Sequence, residues 1–368
     1  MHLTSIELSN FRNYDKKLFT FHPHYNFIVG QNGRGKTNLI EAIYYLSFLK
    51  SFRTSDKFDL IKNPESFTQI AASLVRQNLN HEILITFDTD QKRSLRLNGK
   101  NPKLYEDYYG LVPVLLFEPR DVYLFRETPS LRRKYINRAL FLDNPHVLRK
   151  QVVYEKIIEQ RNRLLKEPIL SPSDMDIWNL KMASLGSEIV FERLGWLSRL
   201  SEPLKKEWHD LTASKKIMSL EYQCSFLKDF TTQQLISMSL SELNEAFMKS
   251  FSVLWPQERR RRESLIGPHR DDWGIKLDSD LVGSRGSQGE NRLVILALKG
   301  AQLSLFEQEH SYSPLFLLDD VMSELDTNHA QRLITSLKER GGQVFLTTTD
   351  LNLIPLAQSG DGARFLLE

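Results

Sequence analysis

"GQNGRGKT", Gly30–Thr37, decides the fold of this 368-residue chain. The apolar stretch Asn26–Val29 leads into it as a strand, and Leu39, Ile43 and Leu46 after it fall on one face of a helix. Strand, glycine-rich turn and helix in that order make a phosphate cradle. The glycines let backbone N–H groups turn inward, and the helix N-terminus adds its partial positive charge. Gly30, Gln31, Asn32, Gly33, Arg34 and Gly35 are therefore the expected loop. Lys36 is placed to reach the β- and γ-phosphates of ATP, and Thr37 to offer its hydroxyl to Mg²⁺.

A second motif lies far along the chain. Pro314–Asp320, "PLFLLDD", reads as an apolar strand ending in two carboxylates. A buried strand that delivers acids at its C-terminal end suits a metal site beside bound phosphates. Asp319 is then the expected Mg²⁺ ligand, and Asp320 the group that orients or deprotonates an attacking water. Lys36 and Asp320 are accordingly the catalytic candidates.

Phosphate loop and acidic strand alone fit any nucleotide hydrolase or kinase, and "GSRGSQGENR", residues 283–292, discriminates among them. Two glycines that loosen the chain lead into Ser287-Gln288-Gly289-Glu290 at the start of a helix. The form resembles the signature of ABC-class ATPases, where a Ser-x-Gly-Gln motif contacts the γ-phosphate held by a second subunit. Ser323-Glu-Leu-Asp326 resembles the D-loop of the same class. Glu290 departs from the more usual Gln. Ser287-x-x-Glu290 also fits a capping box, in which the acid reaches back to a free N–H at the helix start. A carboxylate there offsets part of the helix-terminus field that an incoming phosphate would meet.

Bulk properties set the limits. A 41% hydrophobic content over this length allows two or three domains. The longest apolar run, Leu111–Phe117, is far short of the roughly 20 residues of a membrane span, and no signal-peptide core opens the chain. No membrane association is expected. Cys224 is the only cysteine, which precludes a disulfide within the chain and favours a reducing cytoplasm. A net charge of +3 permits a nucleic-acid partner without demanding one.

Texture divides the chain into three. Residues 1–128 alternate strand and helix signals, with strands around Ile6–Leu8, Leu18–Phe21, Phe27–Val29, Ile83–Phe87 and Leu95–Leu97 and a turn at Asn98-Gly99. Residues 129–257 are mainly helical, with Ile177, Leu180, Leu185, Ile189, Leu194, Leu197 and Leu200 on one apolar stripe. A strand through Met218, Leu220, Tyr222, Cys224 and Phe226 interrupts them. Residues 258–368 return to α/β alternation, with strands at Leu315–Leu318 and Val344–Thr347. The expected class is α/β: an ATPase head in two parts, of the ABC type by its motifs, with a helical arm inserted between them. Arg259, Arg260, Arg261 and Arg262 are the densest basic run, readable either as DNA phosphate contacts or as a solvated face flanked by Glu258 and Glu263.

"LSNFRNY" (Leu8–Tyr14), "SFRTS" (Ser51–Ser55), "FEPRD" (Phe117–Asp121), "GPHRDD" (Gly267–Asp272), "GSQGENR" and "LLDDVMSELD" together span nearly the whole chain. On these motifs the chain resembles the RecF family of bacterial DNA-repair ATPases. The resemblance implies an SMC-like head without the long coiled coil. It implies an ATP-dependent homodimer that binds double-stranded and gapped DNA. Slow hydrolysis would release it, and it would help load recombinase with the mediators RecR and RecO in the cytoplasm, at the nucleoid. It also implies that Arg12 and Asn13 lie near the nucleotide. The same ATP motifs would suit a transporter's energising subunit, although far more chain separates Lys36 from Gly283 than compact transporter ATPases place there. A monomeric kinase or nucleotidase would leave the Ser287 loop without a purpose.

Overall fold

The structure, a computed structural model, describes residues 1–90, 92–104, 107–324, 327–350 and 362–367. The first elements are β1 (His2–Phe11), β2 (Tyr14–Thr20), β3 (Tyr25–Gly30), α1 (Lys36–Phe48), β4 (Phe67–Arg76), β5 (Leu79–Asp88), β6 (Arg93–Leu97) and β7 (Val114–Phe117). There follow α2 (Pro129–Asp143), α3 (Val147–Leu164), α4 (Asp176–Thr212), β8 (Met218–Gln223), α5 (Thr232–Ile236) and α6 (Leu240–Arg261). The chain continues through β9 (Asp272–Leu277), β10 (Asp280–Leu281), α7 (Val282–Arg285), α8 (Gln288–His310) and β11 (Leu315–Leu318). It ends with α9 (Thr327–Arg340), β12 (Val344–Thr348) and β13 (Gly362–Leu367).

Two compact units emerge, one of Met1–Val122 with Leu303–Glu368, the other of Tyr123–Gln302. These bounds differ from the texture boundary at 257, because β8 and β9 pair from Met218↔Leu277 to Gln223↔Asp272 and so tie residues on either side of it into one sheet.

The first unit has two sheets. One is antiparallel, in the order β2-β1-β4-β5-β6; the other is wholly parallel, in the order β13-β3-β12-β11-β7. Gln343 joins them: its side-chain amide accepts from the Leu3 N–H at 2.7 Å and donates to the Leu3 carbonyl at 2.8 Å. Helix α1 lies in the shared core and packs against β1 as well as β3, β7 and β12. That position explains a departure from the expected single face: Ile40, Ala42 and Tyr45 are buried along with Leu39, Ile43 and Leu46. Strand β4 was not anticipated; its inward residues Thr68, Ile70, Ala72 and Leu74 alternate cleanly, but two are too small or polar to register as an apolar run. Asn98 and Gly99, both at positive φ, form the expected turn, while Leu18 proves exposed.

In the second unit, α4 carries the arm's core through Met182, Ala183, Gly186, Ile189, Val190, Leu194, Leu197 and Leu200, packed against α3 and α6. Ile177 and Leu180 are more than half exposed, so the apolar stripe starts about a turn later than the spacing suggested. Strand β8 ends at Gln223, leaving Cys224 buried just beyond it, and burial raises the thiol's pKa, which disfavours the reactive thiolate.

The "GPHRDD" segment is structural. Buried Asp271 accepts from the Tyr222 hydroxyl at 2.7 Å and the Ser225 N–H at 2.7 Å, and Asp272 forms a two-bond ion pair with Arg132. The Tyr154 hydroxyl lies 3.2 Å from His269 Nδ1, and His269 Nε2 lies 3.3 Å from the Ser264 carbonyl, an arrangement that suits a neutral ring. Burial, reinforced by Arg270, Arg133 and Arg161, holds this imidazole down to about 3. Because the folded value lies below the unfolded one near 6.5, the unfolded chain takes up a proton first as pH falls, and folding loses stability from about pH 6.5 downward. Between pH 5.5 and 4 the wild type is expected to lose about 1.4 kcal/mol per pH unit relative to His269→Gln. Denaturant unfolding of both proteins across that range measures it; parallel curves would mean the ring is protonated when folded.

Candidate functional site

The parallel sheet sets the candidate phosphate site. β3 delivers the loop, β11 delivers the acids, and β12 lies between them. Gly33 and Gly35 take positive φ values of 84° and 105°. Gly35 is doubly constrained, since a Cβ there would come within 2.9 Å of the Asn13 and Tyr14 side chains. Gln31, Asn32 and Arg34 form an exposed crest, whereas Lys36 is buried as the first residue of α1. Its ammonium donates to the Gly30 carbonyl at 2.6 Å and the Gln31 carbonyl at 3.0 Å, and lies 3.5 Å from the Asn32 side-chain oxygen.

The acids meet that loop. Thr37 Oγ1 lies 3.1 Å from Asp319 Oδ1, and Thr347 on β12 donates to the same oxygen at 2.9 Å. The Thr347 hydroxyl also accepts from the Asp320 N–H at 2.8 Å, and Asp320 itself sits at φ 51°. Burial raises the pKa of the Asp319 carboxyl, and Thr347 and Thr37 act against the rise. A buried carboxylate beside a threonine hydroxyl is a fitting oxygen donor pair for Mg²⁺, whose charge would offset the desolvation.

Sequence reading did not single out Thr347, nor Glu41 on α1. Glu41 is fully buried and binds Arg12 through two hydrogen bonds of 2.9 and 2.7 Å, Arg53 at 3.3 Å and the Ser51 hydroxyl at 2.5 Å. It thus draws "SNFRNY" and "SFRTS" onto one side of the loop's helix. Asn13 bonds Asn38 at 2.8 Å and reaches the Arg34 carbonyl at 3.4 Å, against the loop itself. Arg12 is turned into the Glu41 pair. The available signal was a glutamate embedded in the apolar run "LIEAIYYL".

The signature segment belongs to the second unit. Its glycines serve close approach, contrary to the expectation that they loosen the chain: a Cβ on Gly283 would lie 1.8 Å from the Phe125 carbonyl. Arg126 donates to the Gly286 carbonyl at 2.7 Å, and the Asn291 amide donates to the carbonyls of Gly286 and Ser287 at 3.1 and 2.7 Å. The capping box is formed, with Ser287 N–H to Glu290 at 3.0 Å and Glu290 N–H to the Ser287 hydroxyl at 3.1 Å. Ser287 and Gly289 are exposed, and Gln288 begins α8. Ser323 falls in the 3₁₀ turn Val321–Glu324, and Asp326 lies outside the described residues.

The arginine run divides. Glu258 is no part of a solvated flank: it is fully buried and pairs with buried Arg161 at 2.5 Å. Arg259 turns back onto the carbonyls of Leu165, Glu167 and Pro168 at 2.9–3.2 Å. Arg260, Arg261 and Arg262 remain exposed. Among the described residues, no helix is long and apolar enough to cross a membrane.

The family model "RecF/RecN/SMC N terminal domain" matches residues 2–365. "DNA replication and repair protein RecF" of Geotalea daltonii is 32% identical over 96% of this chain and 94% of its own, and that of Synechococcus sp. is 34% identical over 95% and 92%. The solved "recombination mediator protein RecF-ATPrS in RecFOR pathway" superposes with a TM-score of 0.88 at 27% identity, covering 100% of this chain and 96% of that one. An SMC head bound to the C-terminal winged-helix domain of ScpA, 15% identical with a TM-score of 0.56, shares the fold over 98% of this chain and 92% of its own. With its phosphate loop, acidic strand and capped signature helix in place, the chain belongs to the RecF family of DNA replication and repair proteins.

Proposed function

We propose that this chain is an ATP-operated DNA switch of recombinational repair and replication. ATP binds the Gly30–Thr37 loop and is completed by Ser287 of a second copy, so that nucleotide drives dimerisation. The single observation that carries this reading is the meeting of the Lys36–Thr37 loop with Asp319 and Thr347, in a chain that also presents Ser287 exposed on a capped helix end. A monomeric kinase has no use for the second feature. Family membership likewise favours the switch over a transporter subunit.

Thr37 and Asp319 would hold Mg²⁺, which when bound supplies positive charge against the phosphates. Asp320 orients the attacking water and accepts its proton, and hydrolysis is slow, releasing the dimer from DNA. The phosphate-binding head centres on Met1–Val122 with Leu303–Glu368, and the unit Tyr123–Gln302 carries both the helical arm and the signature helix; Ser323 and Asp326 act as the D-loop. Double-stranded or gapped DNA is bound through phosphate contacts, with Arg260, Arg261 and Arg262 the leading candidates and Arg259 shaping their turn. RecR and RecO are the partners in recombinase loading, in the cytoplasm.

Sedimentation with and without ATP, Mg²⁺ and duplex DNA tests this. A dimer that forms only with ATP and then binds DNA is expected; a monomer at every nucleotide concentration would sink it.

A further inference from the structure

We propose that Lys216 is a positioning residue of the signature loop, cancelling the charge of Glu290 so that Ser287 meets the partner's bound ATP without repulsion. The inference rests on the ATP-driven dimer just described. Glu290 has two tasks that conflict. Its carboxylate caps the Ser287 N–H at 3.0 Å, which holds the loop's shape, yet it places a negative charge at the helix end that faces an incoming phosphate. The Lys216 ammonium, 2.5 Å from Glu290 Oε1, resolves the conflict by pairing with one oxygen while the other keeps the cap.

The placement of Lys216 is built. It lies between α4 and β8, where Ala213 closes α4 in the left-handed region and the Ser214 N–H bonds the Thr212 hydroxyl at 3.1 Å. On the other side, Ile217 and Asp278 exchange two hydrogen bonds of 3.0 and 2.8 Å, pinning the connector to the β9–β10 turn. The Lys216 N–H itself donates to Ser214 Oγ at 3.2 Å. Asp278 and Asp280 add to the favourable field on the ammonium. The Glu290 carboxyl is held below its ordinary range, first by Lys216 and then by the Ser287 N–H, so it stays ionised and the pair stays charged.

A charge role and a merely structural one respond differently to a double substitution. Lys216→Met leaves Glu290 uncompensated and is expected to weaken the ATP-dependent dimer about tenfold. Glu290→Gln keeps the cap and leaves the Lys216 ammonium as a net positive charge near the phosphate, so its dimer is expected to be at least as tight as wild type. The double variant is expected to return to within about threefold of wild type, because neither charge remains. Dimer dissociation constants from sedimentation at saturating ATP read all four proteins, with thermal melts of the nucleotide-free chains as the control for folding. An unchanged Lys216→Met dimer, or a loss that Glu290→Gln fails to rescue, overturns the proposal while leaving the ATP switch intact. A wild type that stays monomeric with ATP overturns both.

Discussion

Replacing Ser287 with arginine is expected to leave a folded chain that binds ATP but no longer dimerises. The wild-type side chain is exposed and small, and sits at the N-terminal end of α8 with its hydroxyl accepting the Glu290 N–H at 3.1 Å. Losing that cap costs about 1 kcal/mol. The reciprocal bond, from the residue's own N–H to Glu290, does not depend on the side chain and survives. What changes is the surface: in the proposed ATP-bridged dimer a long side chain would stand where the partner approaches to within hydrogen-bonding distance of its ATP, and a misplacement of even 1 Å there is expensive. Dimerisation weaker by at least about a hundredfold is the expected result. The proposed phosphate site, Lys36 and Thr37 with Asp319 and Thr347, lies wholly within the other unit, so nucleotide binding by the monomer should persist. Sedimentation with ATP and a fluorescent-nucleotide titration separate the two effects. A variant that dimerises and hydrolyses like wild type would remove the contact in trans and favour a self-sufficient monomeric enzyme.

How much of this could be read in advance follows from distance along the chain. The phosphate loop, the acidic strand and the capping box are each written within a dozen residues, so backbone geometry and the local order of residues suffice to find them. Glu41, Thr347 and Lys216 are different, because each acquires its meaning from a partner the fold supplies. Glu41 looks like one polar interruption in an apolar helix until Arg12 and Arg53 close on it. Thr347 is an ordinary strand residue until β12 is placed between β3 and β11. Lys216 is one of two adjacent lysines without a local partner until the connector is pinned opposite Glu290. Exposure fails for the same reason. The spacing of Ile177 and Leu180 is helical and correct, but only the ends of neighbouring helices determine where the covered stripe begins.

Lys36→Arg is expected to retain part of the nucleotide affinity and to lose hydrolysis by about a hundredfold or more. The buried ammonium is cradled by the Gly30 and Gln31 carbonyls, within 2.6 and 3.0 Å, so the loop is closed around a compact point charge with its donors directed at fixed oxygens. A guanidinium keeps the positive charge, which is why binding should not vanish. It is planar, longer and forked, and it cannot place a single donor in the space that one ammonium fills. Either the loop opens to admit it, disturbing the turn that Gly33 and Gly35 hold at positive φ, or the side chain leaves the site; in both cases the proposed transition-state charge loses a donor, a loss worth about 2.7–4 kcal/mol where such donors have been removed one at a time. The expected pattern is therefore a fall in kcat much larger than the rise in the nucleotide dissociation constant. The dimer offers a second readout. If hydrolysis releases the two chains, the variant should form an ATP-bound dimer more slowly yet hold it longer on duplex DNA than the wild type does. Turnover equal to wild type would take Lys36 out of the mechanism, and a short-lived dimer despite lost turnover would separate release from hydrolysis.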